Sequence, residues 1–192
     1  MDILLCIALW VTALFSGTVI NNNNGYENNK VYKIDDNLTL KCQISPFPEK
    51  VSLTDASQPD PTYFYSTYPN DLLPNELKTI QLVNSVVSNK KILDAFADVF
   101  SPSELEQMAL AKNRLCVTFV FDDTGRSHYI IFTFLASEDN LFKLPPETFG
   151  ALYKALKNIP WHVSDRRLKY NIADFYIPME TVKNRGKIST TP

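Results

Sequence analysis

Residues 115–135 read Leu115-Cys116-Val117-Thr118-Phe119-Val120-Phe121, then Asp122-Asp123-Thr124-Gly125, then Arg126-Ser127-His128-Tyr129-Ile130-Ile131-Phe132-Thr133-Phe134-Leu135. Two alternating runs rich in β-branched and aromatic side chains flank a turn sequence, the pattern of a β-hairpin. A four-residue loop with Gly125 at positive φ pairs Phe121 with Arg126 and Phe119 with His128. That register puts Leu115, Val117, Phe119, Phe121, Ile130, Phe132 and Phe134 on one face. Cys116, Thr118, Val120, Tyr129, Ile131 and Thr133 fall on the other, because strand side chains alternate. A slip of one residue would drop Ser127 and Tyr129 among the aromatics and mix polar with apolar on both faces. The less apolar face, with Thr118, Tyr129 and Thr133, is the one expected to stay open to a partner.

Pro145-Pro146-Glu147 opens a helix, Glu147–Ile159, whose Phe149, Leu152, Leu156 and Ile159 form one stripe able to cover the aromatic face. At about 25 cal/mol per Å2, burying side chains of this size stabilises by roughly 2 kcal/mol each. Trp161-His162-Val163 starts a further strand or turn, Tyr170–Met179 is a short apolar stretch, and 181–192 is a polar tail.

Upstream of the hairpin, Ser101-Pro102-Ser103-Glu104 is a capping box with proline at the first helical position. Leu105, Met108 and Ala109 give the helix it starts an apolar face, ended by Asn113. Ile92, Leu93, Phe96, Val99 and Phe100 make a second helical stripe, and Leu77, Ile80, Val83, Asn84 and Val87 another, begun near Pro74. Tyr63–Tyr68 is rich in strand formers. Residues 45–62 carry four prolines and read as loop, with a short edge strand at Val51–Leu53. Val31–Ile34 and Leu38–Ile44 alternate as strands around the turn Asp35-Asp36-Asn37. Asn37-Leu38-Thr39 matches a glycosylation sequon, a pattern that a plain turn also produces.

The first 17 residues read as a signal peptide: Ile3–Phe15 is apolar apart from Thr12, and Ser16-Gly17-Thr18 supplies small residues for cleavage. An uncleaved anchor is the alternative. Residues 18–30, with the Asn21–Asn24 run, read as a flexible linker. Residues 31–180 then form a single α+β domain, an antiparallel sheet with helices packed mainly on one face. Export places the protein in the periplasm, cell envelope or medium, with no membrane span after signal cleavage.

Of 192 residues, 45% are hydrophobic and 21% charged, which fits one globular domain. The net charge of −2 gives no long-range attraction to nucleic acid, so no nucleic-acid partner is expected. After cleavage Cys42 and Cys116 remain, as one disulfide or two separate thiols.

The five glycines are too scattered for a phosphate-binding loop, and no G-x-S-x-G elbow occurs. The two histidines, His128 and His162, do not form a zinc motif, and Cys116 and His128 fall on opposite faces in the register above, which argues against a thiol–imidazole pair. No metal and no cofactor is expected. Paired carboxylates occur at Asp35-Asp36, Asp94/Asp98 and Asp122-Asp123, and a glycan hydrolase would need two of them flanking a cleft. Asp122-Asp123 belongs to a turn, and Asp94/Asp98 fits a solvated helix face. Tyr63, Tyr65 and Tyr68 are candidate ligand-binding rings, because exposed aromatics on one strand face can stack on sugars or peptides. Arg166 and Arg167, in the basic run Arg166-Arg167-Leu168-Lys169, are a candidate binding patch.

The stretches "VTFVFDDTGRSHYIIFTF" and "FGALYKALKNIPW" resemble the C-terminal domain of TonB-type energy transducers, where strand, Asp-Gly turn, strand and helix end in a proline–tryptophan step. This chain lacks the basic start to its membrane-like segment, the proline-rich spacer and the basic Pro-Gly step, so the transducer role does not carry over. The whole layout, with a "L-P-x-E-x-F-x-x-L-x-x-x-L" helix motif at Leu144–Leu156, resembles small exported α+β domains of unknown function from Bacteroidetes. That resemblance assigns no catalytic residue. The leading expectation is an exported, non-enzymatic binding or envelope-associated protein, with a glycan, peptide or envelope protein as ligand. The alternatives are a secreted glycan hydrolase using a carboxylate pair, and a structural subunit that pairs through a sheet edge.

Overall fold

In the computed structural model, which describes residues 25–58, 89–161 and 170–185, the two alternating runs pair as β4 (Arg114–Asp122) and β5 (Ser127–Leu135). Around them the chain runs β1 (Val31–Lys33), β2 (Thr39–Pro46), β3 (Glu49–Asp55), α1 (Asn89–Val99) and α2 (Pro102–Leu110) before the hairpin. After it come α3 (Asp139–Phe142), α4 (Pro146–Lys157), β6 (Tyr170–Pro178) and α5 (Met179–Lys183). All strand pairs are antiparallel, in the order β1-β2-β3-β5-β4-β6. With five helices beside a six-stranded sheet among the described residues, the fold class is α+β.

One face of the sheet carries the core. Leu40, Cys42, Val51, Leu53, Val117, Phe119, Phe132 and Ala173 point to it, and they merge with the apolar stripes of the helices into one buried cluster. Phe149, Leu152 and Leu156 of α4 are buried, and the Phe149 ring stacks on Phe134 at 5.4 Å and 7°. The capping box at Ser101 forms as read: the serine hydroxyl accepts from the Glu104 amide, and Glu104 accepts from the Ser101 amide at 2.8 Å.

The hairpin faces are as expected, but the register is not. Phe119 pairs with Ile130 and Val120 with Tyr129, two residues beyond the expected partners, while Phe121 pairs with Ser127. A β-bulge between Val120 and Phe121 takes up the difference. A shift of two preserves the inside–outside pattern, which is why the aromatic face survives. Two anchors favour the bulge. Ser127 turns inward, buried, and its hydroxyl accepts from the Trp161 indole Nε1 at 3.0 Å. Asp122 organises the loop: its Oδ1 accepts from the Thr124 amide, the Thr124 hydroxyl and the Arg126 amide, and its Oδ2 lies 2.7 Å from His128 Nε2.

Four further expectations change. The Val51–Leu53 segment is not an edge strand: β3 lies between β2 and β5, where Val51 and Leu53 are fully buried. Residues 25–30 are not a flexible tether. Tyr26 is buried, donates to the Leu144 carbonyl at 2.9 Å, and meets Tyr32, Phe134, Phe142 and Phe149 edge-on. The Tyr170–Met179 stretch is a full strand, because Ala173, Phe175 and Ile177 alternate inward while Asp174 and Tyr176 face out. Residues 181–185, grouped above with the polar tail, continue α5, where Val182 is buried and Lys183 pairs with Glu106 at 2.5 Å. The signal segment, the 74–87 helix, Tyr63, Tyr65, Tyr68, His162, Arg166, Arg167 and 186–192 lie outside the described residues.

Gly125 sits at φ 84, and a β-carbon there would lie 2.1 Å from the Trp161 carbonyl oxygen. Gly125→Ala is therefore expected to destabilise by at least about 2 kcal/mol, through both backbone strain and the clash. A thermal melt should register this as a loss of roughly 5 °C or more.

The Asp122 carboxylate gives a pH signature. Burial by itself raises its pKa, but hydrogen bonds from the Thr124 hydroxyl, His128 and the Arg126 and Thr124 amides outweigh that and hold it well below the usual carboxylate range. The unfolded chain then binds the proton more readily than the folded one. The stabilisation is complete above about pH 4 and is lost as pH falls through the depressed folded value. Denaturant titrations should find wild type more stable than Asp122→Asn at neutral pH, with the gap narrowing on acidification. A gap independent of pH would show that the carboxylate charge contributes nothing.

Candidate functional site

The outer face of the sheet is divided. Near the hairpin turn Val120, Tyr129 and Ile172 form a second, smaller buried cluster. Tyr129, expected to be accessible, is only 2% exposed. Toward the opposite end of the strands the face opens into a shallow groove of about 420 Å3 floored by β3, β5, β4 and β6. Its floor is Thr133 of β5 with Cys116 and Thr118 of β4, all half-buried.

The strand pattern puts these side chains together by register alone. Thr133 pairs with Cys116, and Cys116 with Tyr176; Ile131 pairs with Thr118, and Thr118 with Asp174. The Thr118 hydroxyl donates to Asp174 Oδ1 at 2.5 Å. On the core-remote side Ser52 and Thr133 hydroxyls lie 3.3 Å apart. The Tyr176 ring stands at the wall, 75% exposed, a rare degree of exposure for so large a side chain.

Charge is arranged unevenly around this floor. Glu138 uses both carboxylate oxygens on backbone amides, accepting from Arg114 at 2.7 Å and Leu135 at 3.0 Å. Asp174 is tied through one oxygen to Thr118. The side chains of Lys50 and Arg114, by contrast, line the groove with no carboxylate partner among the described residues. The groove therefore presents two cations without a carboxylate partner among the described residues, two hydrogen-bonded carboxylates, one exposed ring, and a floor of two hydroxyls and a thiol.

Cys116 is a poor nucleophile in this setting. Burial first, and then the negative charge of Asp174, push its thiol above the ordinary range, so it stays protonated. Cys42 is pushed up to about 12 by burial in the core. Both are free thiols. They face opposite sides of the sheet with β3 and β5 between their strands, a separation of roughly 14 Å that no disulfide can span. The bulge also revises the reason Cys116 and His128 cannot cooperate. His128 reaches Asp122, which shares the parity of Cys116, so face does not separate them. Distance does: Asp122 lies six residues further along β4, about 20 Å of extended strand.

The other carboxylate candidates are structural. Asp122 serves the turn. Asp35 pairs with Lys154, and Asp94 with Lys90 at 3.2 Å. A buried acid that sequence reading missed, Asp55, is satisfied by the Tyr153 hydroxyl at 3.0 Å and by the Ser57 amide and hydroxyl. No cluster of three His, Cys, Asp or Glu suited to a metal ion occurs among the described residues. No described helix is long and apolar enough to cross a membrane.

Sequence reading missed Tyr176, Lys50 and Arg114, because they come from three strands with no common motif. The one available signal was the period-two pattern at 173–177, which turns Asp174 and Tyr176 to one face.

No family model and no curated protein matches the chain. Among solved structures it is similar to a DUF5043 family protein from Bacteroides uniformis, at 14% identity and a TM-score of 0.62, over 82% of this chain and 89% of that one. At that identity the likeness is one of fold: the chain shares the architecture of a domain of unknown function from the Bacteroidetes.

Proposed function

We propose that the protein is an exported, non-enzymatic binding domain that takes its ligand in the groove on the outer sheet face. The observation that carries this reading is the pairing of an exposed aromatic wall, Tyr176, with Lys50 and Arg114, which have no carboxylate partner among the described residues, over a polar floor. A few convergent polar groups beside an aromatic surface are the usual make-up of a recognition site. The same groove offers little for catalysis. Its thiol is held protonated, Glu138 is spent on two backbone amides, and Asp174 is engaged by Thr118. Export rests on the apolar run Ile3–Phe15 and the small residues after it.

The test is a paired screen of the chain lacking residues 1–17 on glycan and peptide arrays, run beside Tyr176→Ala. Because Tyr176 is exposed, its replacement should cost less than about 0.5 kcal/mol of stability. The expected result is at least one ligand retained by the wild type and lost by the variant. Empty arrays, or ligands held equally by both proteins, would overturn the groove as the binding site.

A further inference from the structure

We infer that the groove's ligand is an acidic saccharide, with a sugar carboxylate held between Lys50 and Arg114 and a sugar face laid on Tyr176. The inference rests on the binding reading above and adds the chemistry of the ligand.

Three features of the groove lead to it. The first is charge. Both groove carboxylates already accept hydrogen bonds from the protein, whereas neither cation has a carboxylate partner among the described residues, so an anion is the group that would complete these two side chains. Arg114 supplies a planar fork matched to a carboxylate, and Lys50 a point charge across the floor. The second is the ring. A flat, exposed ring offers its face to the apolar C–H side of a pyranose, while its hydroxyl hydrogen-bonds with the Cys116 thiol. Beside it Asp174 has Oδ2 left to accept a sugar hydroxyl, and the hydroxyls of Thr133 and Ser52 lie along the floor.

The third feature separates a saccharide from an extended peptide. The groove is floored by β3, β5, β4 and β6, and the paired ladders from β3 to β6 consume the backbone groups of its inner strands. A peptide strand is recognised chiefly through main-chain hydrogen bonds, which a sheet offers at its edges and not on its face. A saccharide needs only side-chain donors, acceptors and an aromatic surface. The face of the sheet supplies those three, whereas the backbone edge that β6 leaves unpaired among the described strands runs in the plane of the sheet and not over the groove floor.

Titration calorimetry on the chain lacking residues 1–17 tests this with a small panel. The probes are oligosaccharides bearing galacturonate, glucuronate or sialate, their methyl esters, and an acidic peptide of alternating glutamate and alanine. At least one acidic saccharide is expected to bind, with its methyl ester weaker by tenfold or more. The same loss is expected for the double variant Lys50→Gln/Arg114→Gln, whose fold is checked by circular dichroism. Tyr176→Ala should weaken binding by a similar factor, and Tyr176→Phe should retain it. Equal binding of acid and ester, or an unchanged double variant, overturns the role of the carboxylate. Binding of the peptide in place of every saccharide overturns the saccharide. A panel with no binder overturns the inference as well. The array comparison with Tyr176→Ala reads the groove separately, so a neutral or peptidic ligand lost in that variant leaves the binding domain standing while this inference falls.

Discussion

Trp161 is the residue on which the hairpin end of the sheet depends. Its ring stacks on Phe121 at 4.7 Å and 6° and touches Phe119 and Phe175. Its indole N–H donates to Ser127, and its backbone amide donates to the Gly125 carbonyl at 3.1 Å. One side chain and its own peptide group thus grip both strands of the hairpin and the turn between them. The close approach requires glycine at 125, and the indole bond requires Ser127 to face inward. With Ser127 inward and Val120 opposite Tyr129, the chain must bulge at His128. Buried aromatic stacking and a satisfied indole favour the kinked strand over a regular one.

This constraint shapes the outer face. The strands enter the sheet with Val120, Tyr129 and Ile172 buried on the side away from the main core, so the region beside the turn is sealed. Moving along the strands away from the turn, the outward positions become Thr118, Cys116, Thr133, Asp174 and Tyr176, and the surface opens. The core face needs large apolar side chains at every second position to hold α4 and Trp161. The outer positions are released from that demand, and they are where polar and charged groups collect without a stability cost. Tyr176 is the exception in size, an exposed ring on a face that packing does not require it to serve.

How much was legible in the sequence depended on the range of the interaction. The capping box at Ser101 is closed within four residues, and it forms as written. The α4 stripe and the two hairpin faces are local periodicities, and they survive even a register error because a two-residue shift does not change parity. Tyr26 escaped because it lies in a polar run and most of its partners, Phe134, Phe142, Leu144 and Phe149, are more than a hundred residues away. The inner position of β3 escaped for the same reason. The flanking prolines and its short apolar run look like an edge until β5 is placed beside it. The groove was the least legible, since Lys50, Arg114 and Tyr176 meet only across strand pairings that no motif announces.

By itself, then, the sequence determined the α+β class, the hairpin, its apolar face, the helix starts and the core stripe of α4, because propensity, capping and period act between near neighbours. The tertiary structure decided the strand order, the bulge, the separation of Cys42 from Cys116 on opposite faces, and the convergence of two cations on an exposed ring. Those features depend on which distant segments lie side by side. That choice is made by the burial of the whole aromatic core at once, and short-range pattern carries no record of it.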